Sequence, residues 1–317
     1  MANLKIDKAL IESIAKKNNE EFFEKVNEKI SVILASAIER LGKQIPYISL
    51  ENVTLQPFNE ILSGAVTDNS TFHYLLGVEN GQLELNTFKT NMFWRNFKKR
   101  LKYAWDNRRK HKQKKKKKND EKALEIDFDA SKYNIFNLTD DLFENIRQYL
   151  SPTSIISQND NVLYIVGKDD FGGNSKIRID ICFCDADNFK LFTGSKKDLP
   201  KYNFTCRVNC LQQKIREAGP NFVKMLKIFN VLYFYANYEH PNAMFLESVL
   251  YNIPDKLYEE NNIYSVFLKI VNYLTLKPIN NFNSINDLGL KIYEDKMLGS
   301  DQQVGFLKML RMISNQK

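Results

Sequence analysis

Ten residues, Lys176 to Asp185 (KIRIDICFCD), constrain the fold of this chain more than any other stretch. Ile177, Ile179, Ile181 and Phe183 fall on one side of a strand, and Arg178, Asp180, Cys182 and Cys184 on the other. Period-two alternation over that length demands a sheet with a substantial layer behind it. It also sets a problem. A carboxylate in the middle of an otherwise apolar strand is costly unless it is ion-paired, hydrogen-bonded, bound to a metal or placed at a cleft. A salt bridge from Arg178 would satisfy Asp180, and so would a site.

Other strands are expected nearby. Tyr47 to Leu62 contains alternating runs and ends at Ser63-Gly64, and Thr71 to Glu79 (TFHYLLGVE) reads as a strand closed by a turn at Gly81. Thr153–Ser157 and Val162–Gly167 pair across Gln158-Asn159-Asp160-Asn161, and Phe189–Phe192 adds an edge. Residues 4–42 carry apolar positions at helical spacing, in one long helix or two, and a short helix is expected over Asp140–Leu150. Beyond Cys206 the period becomes helical throughout, with helices predicted over 205–216, 220–237, 242–252, 262–276 and 302–314. The chain thus divides into a mixed α/β part, 1–203, with a basic insertion at 106–122, and a helical part, 204–317. With 317 residues, 43% of them apolar, both parts have enough material for a core.

The charge is concentrated in one place. Lys and Arg number 46 against 38 Asp and Glu, a net of +8. Between Arg95 and Lys118 stand fourteen cations and a single acid, Asp106, so the remainder of the chain is mildly acidic. Phe93, Phe97, Leu101 and Trp105, spaced by four, place an apolar stripe on a helix starting near Thr87, with Lys98, Lys99, Arg100 and Lys102 on its other faces. After Trp105 only charge remains: Arg108, Arg109, Lys110, Lys112, Lys114, Lys115, Lys116, Lys117 and Lys118. That density favours nucleic acid as partner through counterion release, without base specificity. An acidic protein or membrane surface is the rival.

The four cysteines, Cys182, Cys184, Cys206 and Cys210, form no disulfide framework in a chain this long. Their spacing matches no usual zinc pattern, and buried thiols account for them, convergence on zinc being the alternative. His73, His111 and His240 are far apart, and no phosphate-cradling glycine motif is present, since Gly172-Gly173 reads as a hairpin turn. The first residues lack an apolar signal core and no window spans a membrane, so a reducing, cytoplasmic setting is expected.

An apolar-Asp-apolar strand late in a β-rich half, followed by a helical half, resembles the polymerase-β-type nucleotidyltransferases, and within them the cGAS/DncV-like proteins of bacterial immunity. Phe222-Val223-Lys224-Met225-Leu226-Lys227-Ile228-Phe229 resembles their basic-x-x-Lys helix. Asn242-Ala243-Met244-Phe245-Leu246-Glu247 resembles their Ser-aromatic-x-Leu-Glu helix, with Ala243 in place of Ser. The stretch from Ser63-Gly64 to Leu75 matches their first motif, with Gly-Ser inverted and with Thr71 and His73 where two metal-binding Asp residues stand. The resemblance implies an α+β fold: a nucleotidyltransferase-like mixed sheet with flanking helices and a C-terminal helical bundle. It further implies a two-Mg²⁺ centre built on three carboxylates, of which this chain keeps Asp180. Thr is a poor ligand for a hard cation, and His prefers softer metals.

Three functions follow as expectations. The first is a degenerate nucleotidyltransferase-fold protein in a sensing or scaffolding role, with no resident metal. It would bind nucleic acid through the basic run and a nucleotide through Ser63, Gly64, Lys224 and Lys227. The second is an active Mg²⁺-dependent nucleotidyltransferase using Asp180 with Asp68 or Asp185. The third is a non-enzymatic protein docking on an acidic partner or membrane.

Overall fold

The computed structural model describes residues 6–17, 19–45, 48–58, 62–66, 72–79, 135–167, 169–171, 175–185, 188–191, 201–239 and 241–315. The basic run, the helix expected from Thr87, the turns at Gly81 and Gly172-Gly173, and Asp68, Thr71, His111 and His240 lie outside the described residues.

Helices α1 (Lys8–Lys16) and α2 (Glu20–Gly42) open the chain, so the N-terminal helical pattern is two helices. Asp7 caps α1 by accepting a hydrogen bond from the backbone N–H of Leu10 at 3.0 Å. Strands β1 (Val53–Pro57) and β2 (Phe72–Glu79) follow, then α3 (Ile135–Ile146). Next come β3 (Ile155–Asn159), β4 (Val162–Gly167), β5 (Ser175–Asp185) and two short strands, β6 (Asn188–Lys190) and β7 (Lys201–Asn203). Helices α4 (Phe204–Ala218), α5 (Pro220–Asn237), α6 (Ala243–Tyr251), α7 (Ile263–Leu276) and α8 (Ser300–Ser314) form the helical part.

The seven strands make one sheet in the order β1-β2-β5-β4-β3, with β6 pairing β5 and β7 continuing from β6. β2 and β5 run parallel at its centre, and the other pairs are antiparallel. The sheet is covered on both faces. Ile177, Ile179, Ile181 and Phe183 of β5, with Phe72, Tyr74, Leu76 and Val78 of β2, pack under α2 and α3. Cys182, Cys184 and Leu75, on the other face, join the core of the helical part, as do Ile11 and Ile14 of α1. The mixed sheet with flanking helices and a helical bundle is the α+β architecture the sequence implies.

α3 begins five residues earlier than the sequence suggests. Ile135, Leu138, Leu142 and Ile146 form its buried stripe, and the Thr139 hydroxyl donates to the Ile135 carbonyl within the helix, so Asp140 is not its start. β7 escapes any periodicity argument because three residues carry no period, yet it holds the fully buried Tyr202. Gly77 has a packing role: a β-carbon there would come within 2.6 Å of the Phe189 ring and 2.8 Å of the Cys184 β-carbon.

A buried ion pair joins α4 to α6 in the helical part and reaches the sheet through Tyr202 of β7. Arg207 of α4 is fully buried and donates from Nε and Nη2 to both carboxylate oxygens of Glu247 on α6, at 2.7 and 3.0 Å. Its Nη1 reaches the Tyr202 hydroxyl at 3.3 Å, and its guanidinium lies 5.7 Å from the Phe58 ring centre and 5.8 Å from that of Tyr202. The Glu that ends the Phe245-Leu246-Glu247 motif therefore has a structural partner. Replacing Glu247 with Ala leaves Arg207 charged and uncompensated, and should lower unfolding free energy by about 3–5 kcal/mol in urea denaturation.

Candidate functional site

The parallel pairing of β2 with β5 sets His73 opposite Arg178 and Leu75 opposite Asp180. All four residues share the face turned toward the helical part. Coverage of that face fades along β5: Cys184 and Cys182 are buried, Asp180 is 6% exposed, and Arg178 and Lys176 are exposed. Asp180 thus stands where the helical layer stops. The burial cost read from the sequence is real, and it is met at the edge of the covered region.

Two side chains meet it. Arg178 donates from Nε to both Asp180 oxygens, at 3.2 and 3.0 Å, and from Nη2 to Oδ1 at 3.0 Å. His73 Nε2 makes a short hydrogen bond to Asp180 Oδ2. The Arg178 side chain is 45% exposed while that of Asp180 is only 8% exposed, so the guanidinium covers the carboxylate from the solvent side. On β4, Tyr164 lies directly across from Arg178, with its ring centre 5.9 Å from the guanidinium carbon. His73 is held in turn from behind. Its backbone carbonyl accepts from the Phe58 N–H at 2.8 Å, and the Phe58 ring meets the imidazole edge-on at 4.9 Å. Phe58 then contacts Tyr202 at 4.8 Å and Arg207, so the site rests on the buried Arg207–Glu247 pair.

The protonation states follow from burial and pairing. Burial pulls the His73 imidazole below its ordinary range, against the hydrogen bond and charge of Asp180. Burial alone would raise the Asp180 carboxyl, but the hydrogen bonds and charges of His73 and Arg178 hold it below its ordinary range. At neutral pH the arrangement is an ionised Asp180, a cationic Arg178 and a neutral His73 donating from Nε2, with no net charge.

The family resemblance implies His73 at the metal site with Asp180, and the two side chains are in contact. Thr71 lies outside the described residues. Asp185 is five residues beyond Asp180, about 16 Å along the strand and on the opposite alternation; it is no partner for Asp180. Ser63 and Gly64 form a turn in which Ser63 is buried and Gly64 adopts φ +67°, a left-handed conformation that suits glycine. Lys224 and Lys227 share a face of α5, but neither touches Asp180 or His73. Lys227 is buried, with its ammonium 3.3 Å from the Lys17 carbonyl at the end of α1, and Lys224 lies 3.4 Å from the Asn221 side-chain oxygen. Cys182, Cys184 and Cys210 are buried and Cys206 is half-buried, all as free thiols. Arg207 escaped the sequence reading, although its signal was available. It falls in phase with the buried Cys210, Leu211, Lys214 and Ala218 of α4.

These residues do not fit a pair of hard divalent cations. Both Asp180 oxygens already accept hydrogen bonds, the neighbouring position carries a nitrogen ligand, and a guanidinium adds positive charge. Among the described residues no group of three or more His, Cys, Asp or Glu side chains converges as a metal site.

No family model and no curated protein matches the chain. Solved structures do. The Rhodothermus marinus CdnE c-UMP-AMP synthase, with Apcpp and Upnpp, superposes with a TM-score of 0.61 at 12% identity, covering 98% of this chain and 97% of that one. The Elizabethkingia meningoseptica CdnE cyclic dinucleotide synthase, with GTP and Apcpp, gives 0.60 at 12% identity, covering 98% of each chain. CdnC of E. coli MS115-1, with ATP, gives 0.56 at 10% identity, covering 98% and 91%. The chain shares the nucleotidyltransferase fold of these structures. The resemblance drawn from KIRIDICFCD and the two helical motifs therefore holds at the level of the fold. Among the described residues no helix is long and apolar enough to cross a membrane.

The depressed pKa values of His73 and Asp180 act in the same direction. As pH falls below about 6.5, the ordinary imidazole value, the unfolded chain takes up a proton that folded His73 refuses, so stability drops. The contribution of Asp180 is intact above 3.8 and is lost as pH falls below that value. Denaturation measured from pH 7.5 down to 5 should show the wild type losing stability that His73→Gln does not lose. Equal losses in the two proteins would place the titrating group elsewhere.

Proposed function

We propose that the protein binds a nucleoside triphosphate on its nucleotidyltransferase fold and serves in sensing or scaffolding, without two-metal nucleotidyl transfer. The observation that carries this reading is the engagement of Asp180 by Arg178 and His73. Two-metal transfer needs open carboxylates that neutralise and orient triphosphate through the cations. Here the one retained carboxylate is already neutralised. Ser63, Gly64, Lys224 and Lys227 are the proposed nucleotide contacts, with the Lys227 ammonium exchanging the Lys17 carbonyl for phosphate. The basic run from Lys98 to Lys118 is the proposed nucleic-acid contact. The chain is proposed to work in the cytoplasm as an α/β part, 1–203, and a helical part, 204–317.

The second reading is an active synthase. It draws support from neighbours that are named as cyclic dinucleotide synthases and that superpose over nearly their whole length. It needs Asp68 to reach Asp180.

Incubating the protein with each labelled nucleoside triphosphate, Mg²⁺ or Mn²⁺, and RNA or DNA separates the two. The first reading expects no product above that of Asp180→Ala. A cyclic or linear oligonucleotide that disappears with Asp180→Ala would establish the second. Nucleic-acid affinity should fall steeply with salt, and deleting 108–118, which removes nine cations, should flatten the logarithmic salt slope by several units. An unchanged slope would rule the run out as the contact.

A further inference from the structure

The pair that closes the site also suggests what replaces the metal. We propose that Arg178 is a resident cation: its guanidinium occupies the position on Asp180 that a divalent ion would take, and presents its outer edge to ligand phosphate without any metal. The phosphate half of this statement rests on the nucleotide-binding reading above; the occupancy of Asp180 does not.

Strand geometry favours the pairing. Arg178 and Asp180 are two residues apart on one face, about 6–7 Å along the strand, so the side chain need only fold forward to bring Nε and Nη2 onto the carboxylate. The planar fork matches the two oxygens, as a lysine ammonium could not. Both flanking strands then hold it in register, His73 from β2 and Tyr164 from β4. The contact differs from an ordinary surface ion pair because the acid is buried and only the base is exposed. Asp180 cannot turn to water for its hydrogen bonds, so it keeps whichever cation is attached to the fold.

The outward edge of the guanidinium is available. Nη1 makes no hydrogen bond among the described residues, and the side chain is nearly half exposed. Arginine that spends one edge on a carboxylate and offers another to phosphate is a preorganised anion site. The charge count agrees. With Arg178 present the group is neutral and does not attract a dication. Without Arg178 it is an anionic oxygen beside an imidazole whose Nε2 becomes a ligand once its proton moves to Nδ1, a carboxylate–imidazole donor pair open to Mn²⁺. Arg178 therefore both supplies a positive charge and keeps metal out.

Mn²⁺ binding to the full-length protein, read by electron paramagnetic resonance, tests the occupancy directly. The wild type should show no Mn²⁺ site that depends on Asp180. Arg178→Ser should gain one, at least about tenfold tighter than any background Mn²⁺ binding of the wild type, and adding Asp180→Asn should abolish it. Arg178→Gln keeps an amide to hydrogen-bond Asp180, so it serves if the serine variant fails to fold, and the same gain is expected. A wild-type Mn²⁺ site lost on Asp180→Asn, or no gain in a folded Arg178→Gln protein, would overturn the proposal. Binding of fluorescent ATP and GTP analogues supplies the second arm. Affinity in EDTA should lie within about threefold of that in Mg²⁺, and Arg178→Gln should weaken it about tenfold in EDTA. Triphosphate binding that needs Mg²⁺ and Asp180 would also overturn the proposal. Failure of every triphosphate to bind, with the Mn²⁺ result intact, would remove the nucleotide-binding reading and leave Arg178 as the cation on Asp180.

Discussion

β5 is buried on its two faces by different layers, and those layers do not end at the same place. On the α2/α3 side, Ile177 through Phe183 are all covered. On the helical side, cover is complete at Cys184 and Cys182, thins at Asp180 and is gone at Arg178. One strand is thereby a core element along its whole length on one face and a rim on the other. Apolar side chains are compulsory on the first face. On the second, the chemistry permitted changes within a few residues, from thiols to a carboxylate to a solvent-facing guanidinium. The site is where the low-dielectric interior gives way to water, which is where a charge is both strongly felt and still approachable.

The helical part supports that boundary through aromatic contacts. Phe58 lies between His73 and the Arg207–Tyr202 group, touching both. A fully desolvated Arg207–Glu247 pair is a poor source of net stability compared with hydrophobic packing. It is a strong source of position, because two parallel hydrogen bonds allow one geometry between α4 and α6. Tyr202 and Phe58 carry that geometry to His73 and so to Asp180.

Much of this was readable in the residues. β4 and α5 stand at the bounds expected from their periods, and β5 differs by one residue. Strong periodicity backed by burial is what sequence records best. Asp180 stood out because an acid broke an apolar run, and Arg178 was a natural partner because it shares the strand face. His73 is different. It reaches Asp180 only through cross-strand pairing, which sequence periodicity does not encode, and it was found by matching a family motif. Lys227 adds a contact that spacing does not encode: two lysines three apart suggest a phosphate clamp, and its ammonium also meets a main-chain carbonyl at the end of a helix far away in sequence. Arg207 gives little signal by its residue type, because a lone arginine on a helix normally points to water.

The packing of α1 orders events in time. Its residues are made before those of α5 and α7, yet Ile11 and Ile14 are buried among side chains of those helices, and the Lys17 carbonyl meets an ammonium 210 positions later. A nascent chain therefore holds an amphipathic helix with nothing to cover it until the helical part has been made. β2 likewise waits for β5, since His73 and Asp180 are 107 residues apart. Closing such long loops belongs to the slow end of folding. The docking of α1 on α5 and α7 and the meeting of His73 with Asp180 therefore both wait for segments far along the chain.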